Sequence, residues 1–476
     1  MKKKNRNTTN LQLKLNLIYN IFYQLLTLIV PLLTAPYISR ILGVKGVGLY
    51  SYTYSIAQYF VLFMMLGVLN YGNREIAKVK DNRTELSNKF CGIYSVQFYF
   101  GLVVIIIYLL FAIIFSQYKL LMFIQGLYVL SGIFDISWFY FGVENFKFTT
   151  GISTINKILT TILIFTIVRN KYDIALYTII ISGGTLLNNI AYWCNLKKYI
   201  DFEKLKLNNL KVYGKPLIVL FIPVIAISIY KYMDKIMLGS MLSADEVGIY
   251  EAAEKFINLP VCFVAAFGTV MLPRITNLKK NNQIDYVRKY NFISMVLVVF
   301  LSVGMSIGLA GITRVFIPWF YGTDFKPSIN VLFVLLPSIV FVSWANVIRT
   351  QCLLPNQKDK QYCISVSLGA IINLIINLFF IPKYGAVGAA IGTLIAEGSV
   401  CIMQTFMCRK FMDIKIYIKY SICFLIIGGI MFLIIKDICM TNDFMTVLAR
   451  IIIGGVTYSF ISLLILKNAF NMYRRI

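Results

Sequence analysis

The chain has 476 residues, 59% of them hydrophobic and only 14% charged, which excludes an ordinary soluble globular protein and implies a chain built to face lipid. Its net charge of +26 invites a nucleic-acid reading, but the Lys and Arg lie in short clusters between apolar runs, the pattern that orients membrane proteins, so no nucleic-acid partner is expected. Histidine is absent and the nine cysteines are scattered without a C-x-x-C pair, so imidazole chemistry is excluded and neither a metal site nor a disulfide framework is expected.

In chain order, Met1-Lys2-Lys3-Lys4 opens an apolar run that continues to about Ile41. That is too long for a secretory h-region, so it is expected to stay as the first membrane span. Apolar runs of about 20 residues then place spans near 14–41, 47–71, 88–115, 119–142, 149–168, 173–196 and 216–239. A second set follows near 245–271, 290–316, 328–354, 361–381, 385–408, 416–436 and 444–466, for about fourteen transmembrane helices in an all-α integral membrane protein. Loop charge supports the count. Of the 46 Lys and Arg, 31 fall in segments assigned inside and 9 in segments assigned outside, which puts both termini in the cytoplasm of a multi-pass inner-membrane protein. The outside loops are too short for an extracellular catalytic domain.

One segment is nearly copied about 200 residues later. Leu42-Gly43, Val47-Gly48-Leu49-Tyr50 and then Arg74 return as Leu238-Gly239, Val247-Gly248-Ile249-Tyr250 and then Arg274, with a Tyr-to-Arg spacing of 24 in both copies. This pattern predicts two pseudo-symmetric six-helix lobes, spanning 1–196 and 216–408 around a linker at 197–215, with two further helices and a tail in 409–476. Six is even, so the lobes share one orientation about an axis along the membrane normal, an arrangement that suits a transporter better than an enzyme.

Charges at bilayer depth need a reason. The seventh span carries Lys231, Asp234 and Lys235 on one helical face, where the carboxylate can pair with either ammonium. The eighth carries Glu251, Glu254 and Lys255, with Glu251 and Lys255 at i, i+4. Asp135, Lys157, Arg349, Glu397 and Arg450 lie elsewhere in apolar runs. Two readings stand: anchors and structural pairs, or a binding and coupling surface. Tyr50, Tyr52, Tyr54 and Tyr59 of the second span are either belt and packing residues or rings that stack on sugars.

The chain resembles the Wzx-type polysaccharide flippases of the multidrug/oligosaccharidyl-lipid/polysaccharide exporter superfamily over nearly its whole length. The resemblance rests on residues 36–43 (PYISRILG), Val47 to Tyr54, 71–77 (YGNREIA), 233–239 (MDKIMLG), 272–275 (LPRI), 354–359 (LPNQKD) and 384–390 (YGAVGAA). It implies a V-shaped, two-lobed transporter working by alternating access. Its cargo would be a polyprenyl-pyrophosphate-linked oligosaccharide repeat unit, carried to the outer leaflet for capsule, O-antigen or exopolysaccharide assembly. Arg40, Arg74, Lys235 and Arg274 are the candidate pyrophosphate contacts, joined by Lys231, Lys255, Tyr50 and Tyr54. Arg74 and Arg274 are also placed to cap their helices. The chain has no nucleotide-binding motif. A proton or sodium gradient is therefore the expected energy source, with Asp135, Asp234, Glu251 or Glu254 as coupling carboxylate. The expected partners are the lipid-linked oligosaccharide, membrane lipids, and a polysaccharide polymerase with chain-length proteins. A lipid II flippase is the nearest rival reading, ahead of a drug antiporter, a membrane glycosyltransferase or polymerase, and a non-transporting scaffold.

Overall fold

The computed structural model describes the backbone of residues 2–202 and 209–474 and the side chains of 26–467, apart from 28, 203–211, 215 and several between 219 and 231. Among the described residues all regular structure is helical. An apolar chain must satisfy its backbone polar groups within each membrane segment, and the helix does so. Eleven described stretches are long and apolar enough to cross a membrane, against the fourteen expected. Two of these run 51 and 50 residues, and α8 (Asn209–Met241), the expected seventh span, is described only in part and is not among them.

The chain splits into two compact units, Met1–Ser228 and Ile229–Ile476. The division falls inside α8, beyond the expected start of the second lobe at residue 216. In the first unit, α1 (Lys2–Met65) runs through the expected loop near 41–47 and breaks at a single residue, Gly43, with φ 67° and ψ −178°. Only glycine readily adopts that backbone. Next come α2 (Val68–Val79), α3 (Arg83–Ile114), α4 (Lys119–Phe134), α5 (Ser137–Gly142), α6 (Phe146–Ile167) and α7 (Ile174–Trp193).

The expected fourth span is thus two helices, because the backbone leaves helical geometry at Asp135 (φ −74°, ψ 98°). The carbonyls freed there are served by Gln97, wholly buried on α3, whose Nε2 donates to Gly132 O at 2.7 Å and Asp135 O at 2.9 Å. Gln97 Oε1 in turn accepts from Trp138 Nε1 at 3.1 Å. Trp138 lies within the aromatic core of this unit, stacked on Phe90 at 5.4 Å. Close approach of α2 and α5 depends on a missing side chain: a Cβ on Gly72 would fall 2.4 Å from Trp138 Cε3.

The second unit contains the end of α8, then α9 (Ala244–Lys280), α10 (Ile284–Tyr321), α11 (Ser328–Leu335), α12 (Ser338–Ile348), a π-helical turn at Arg349–Leu353, α13 (Asp359–Cys408), α14 (Ile414–Ile435) and α15 (Asp443–Arg474). Here α13 breaks at Gly385 (φ 58°, ψ −135°). The helix that restarts is capped from another element, as Glu246 Oε2 accepts from Ala386 N at 2.5 Å. In the second copy of the repeat, which is four residues longer, two separate helices meet at Leu242 and Ser243, and the Ser243 hydroxyl accepts from Glu246 N at 3.4 Å.

Candidate functional site

Asp234 and Lys235 are adjacent in α8, so their side chains leave the helix about 100° apart and reach different neighbours. Of the two ammonium groups with which the sequence lets the Asp234 carboxylate pair, Lys231 and Lys235, the second is bound elsewhere. Asp234, 2% exposed, accepts from Tyr250 Oη at 2.6 Å, Thr393 Oγ1 at 2.5 Å and Asn377 Nδ2 at 2.6 Å. These are three neutral donors from α9 and α13. Tyr250 and Thr393 are also within 3.0 Å of each other.

Lys235 instead lies between two carboxylates of α9, 2.7 Å from Glu251 Oε2 and 2.7 Å from Glu254 Oε2. Glu251 uses its other oxygen on Lys255 at 3.0 Å, the i, i+4 pair read from the sequence. Four of the candidate groups therefore form one chain, Glu254–Lys235–Glu251–Lys255. It runs from a nearly enclosed ammonium, 11% exposed, to one that is 42% exposed. Buried ions are tolerated only when paired in this way. The side chain of Lys231 lies outside the described residues.

The two arginines of the repeat are exposed and each sits against a tyrosine. The Arg74 guanidinium lies 5.6 Å from the Tyr71 ring and 3.5 Å from Glu75, whose carboxylate also meets Lys78 at 2.7 Å. Arg274 lies 5.3 Å from the Tyr290 ring and donates to its hydroxyl at 3.1 Å. Arg40 is exposed on the helix before Gly43. Tyr50 stacks on Tyr54 at 5.5 Å and meets Tyr177 at 4.8 Å, while Gln58 donates to the Tyr54 hydroxyl. Arg450 is a structural residue, donating to Ile438 O at 2.9 Å and Gly311 O at 2.7 Å.

Asp135 is remote from the other coupling candidates in sequence and belongs to the first unit. Its Oδ1 accepts from Ser137 N at 2.9 Å, and it lines a polar cavity of about 520 Å³ with Asn73, Thr149, Thr150, Asn188 and Asn189. The sequence reading missed this cavity, along with Asn377 and Thr393. Asn373 and Asn377, at i, i+4 in an apolar run, were the available signal for the latter network.

Comparison with known proteins gives the following. The family described as polysaccharide biosynthesis protein matches residues 13–279. A protein of Escherichia coli K12, provisionally described as an O-antigen transporter, is 24% identical over 412 residues, covering 84% of this chain and 97% of the relative. The lipid II flippase MurJ of Bacillus subtilis is 24% identical over 226 residues, covering 44% of this chain and 41% of the relative. Among solved structures, a lipid II flippase MurJ in an inward closed conformation superposes with a TM-score of 0.76 at 20% identity, covering 96% of this chain and 99% of that one. An inward-facing multidrug transporter of the MATE family matches with a TM-score of 0.59 at 12% identity, covering 82% and 99%.

Proposed function

The chain belongs to the family of polysaccharide biosynthesis proteins, and from that premise we propose that it flips a lipid-linked oligosaccharide across the membrane, with a polyprenyl-pyrophosphate-linked repeat unit as cargo. A pyrophosphate bearing sugars cannot cross about 30 Å of hydrocarbon bare, so a carrier must replace water for the headgroup while the prenyl chain stays in lipid. The observation that carries the reading is the near-full-length match to a relative described as an O-antigen transporter. That match covers 97% of the relative, against 41% for the lipid II flippase, and so favours a repeat unit over lipid II. Transport runs from the cytoplasmic to the outer leaflet by alternating access.

The four-membered ion chain supports a division of labour. Arg40, Arg74, Lys255 and Arg274 are exposed cations suited to meeting a pyrophosphate. Lys235 is held by Glu251 and Glu254, so neutralising either carboxylate by a proton would loosen the ammonium toward an anionic headgroup. Asp234, with three neutral donors and a buried carboxylate, is the second coupling candidate, for a proton or for sodium. The substrate is drawn from the cytoplasmic assembly line and passed to a polymerase and chain-length proteins outside.

Deleting the gene in the native cell tests this reading. The expected result is accumulation of the lipid-linked oligosaccharide at the cytoplasmic face with loss of the surface glycan, both reversed by the wild-type gene. An unchanged surface glycan with no accumulated precursor would contradict it.

A further inference from the structure

The cavity of the first unit is unlike a site for the pyrophosphate. It measures about 520 Å³, within the range of pockets that hold organic ligands. No Lys or Arg is among its lining residues, so it has nothing with which to neutralise a phosphate. One carboxylate, Asp135, stands in a wall otherwise made of amides, hydroxyls and rings. A bare cation wants several close oxygen ligands in a small cage, not one carboxylate in a space of this size.

The polar groups are of the kind that both donate and accept: the amides of Asn73, Asn188 and Asn189 and the hydroxyl of Thr150. Sugar hydroxyls have the same dual character. Asn188 Oδ1 is buried and finds no donor among the described residues, which is costly unless a ligand supplies one. Its Nδ2 is aimed at Asn189 Oδ1, at 3.2 Å, and Asn189 is itself fixed by donating to Ser131 O at 3.0 Å. The amide array is therefore held in place. Phe141 and Phe146, stacked at 5.6 Å, form an apolar wall of the kind on which the C–H face of a pyranose rests.

We infer that this cavity is a subsite for an uncharged sugar residue of the glycan headgroup, with Asp135 and Asn188 as its hydrogen-bonding anchors. The inference rests on the flippase reading for its choice of cargo. It adds a specificity: one carboxylate facing the ligand accepts from a vicinal diol but repels a second carboxylate, so the subsite selects neutral over uronic sugars.

The test measures binding by the full-length protein in lipid nanodiscs, using three probes: farnesyl pyrophosphate, farnesyl-pyrophosphoryl-N-acetylglucosamine and farnesyl-pyrophosphoryl-glucuronic acid. The N-acetylglucosamine probe is expected to bind at least about tenfold tighter than the sugar-free probe, as one or two good hydrogen bonds to ligand allow. Asp135→Asn keeps an oxygen for Ser137 N. It should weaken the neutral-sugar probe about tenfold, relieve the discrimination against glucuronic acid, and leave farnesyl pyrophosphate unchanged. Asn188→Ala and Thr150→Val give the same selective loss without touching that cap. Equal weakening of all three probes, or no advantage of the sugar over farnesyl pyrophosphate in the wild type, overturns the subsite. Its failure is separable from failure of the flippase reading. Flipping with unaltered sugar affinity in the variants removes the subsite alone. Selective sugar binding without any flipping removes the transport function and leaves the subsite standing.

Discussion

Asp234 and its neighbour Lys235 show how much one helical step decides. Replacing Asp234 by Ala strands the hydroxyls of Tyr250 and Thr393 and the Asn377 amide, and should cost about 1–3 kcal/mol. Asp234→Asn retains an acceptor and should cost less, so the two variants separate packing from charge in a thermal melt of the detergent-solubilised protein. Lys235→Met strips Glu254 of its counter-ion and leaves Glu251 with Lys255 alone, and should cost about 3–5 kcal/mol. Adding Glu254→Gln should recover part of that loss; a double variant as unstable as Lys235→Met would argue against the pairing. Outside the spans, Arg83 holds Asp201 by two hydrogen bonds of 2.8 and 3.0 Å and keeps its carboxyl below the usual range. A depressed carboxyl stabilises above its unfolded value, about pH 4, and loses that contribution as pH falls through the lower folded value. The small penalty of Arg83→Ala, read from thermal melts, should therefore vanish in acid; a penalty independent of pH would exclude the ion pair as its cause. Asp234, Lys235, Glu251 and Glu254 stand out in the sequence because they interrupt apolar runs. The pairing of Asp234 with Asn377 and Thr393 does not, because both lie more than 140 residues away in the chain.

At the scale of elements, the apolar runs were legible and their interruptions were not. Hydropathy marks where lipid-facing helix begins and ends, and it predicted short loops near residues 41–47 and 381–385. The structure replaces each with a break at one glycine, Gly43 and Gly385, both in backbone regions that other residues rarely enter. Gly43→Ala should destabilise by about 1–3 kcal/mol through the backbone alone, since its Cβ would meet nothing within 4 Å. Gly385→Ala should cost more, because its Cβ would fall 2.4 Å from the Glu246 carboxylate that caps the restarted helix. Equal melting temperatures for the two variants would contradict that ordering. The break of the fourth expected span at Asp135 had no local signal at all, since it is supported by Gln97 on a different helix. Gln97→Leu should destabilise by about 1–3 kcal/mol by orphaning those carbonyls, and an unaffected melt would show the break to be held by something else.

For the whole molecule, composition sufficed to place the chain in a membrane, and the ordered motif words sufficed for the family, because both depend on sequence alone. The repeat of Leu-Gly, Val-Gly-aliphatic-Tyr and Arg is matched by parallel surroundings, with Arg74 and Arg274 each set against a tyrosine ring. The two tyrosines of the repeat differ. Tyr50 stacks among other rings, whereas Tyr250 is bound to a buried carboxylate, so the same word carries different chemistry in its two copies. The polar cavity beside Asp135 was illegible because its lining comes from α2, α5, α6, α7 and the turn between α4 and α5. The measurement that bears most directly on function is leaflet exchange in proteoliposomes, with a fluorescent polyprenyl-pyrophosphoryl oligosaccharide placed in the inner leaflet. The expected result is protein-dependent loss of leaflet protection, diminished by Arg274→Ala in a protein that still melts like the wild type. Full protection with every cognate glycan, from protein shown to be folded, would contradict it.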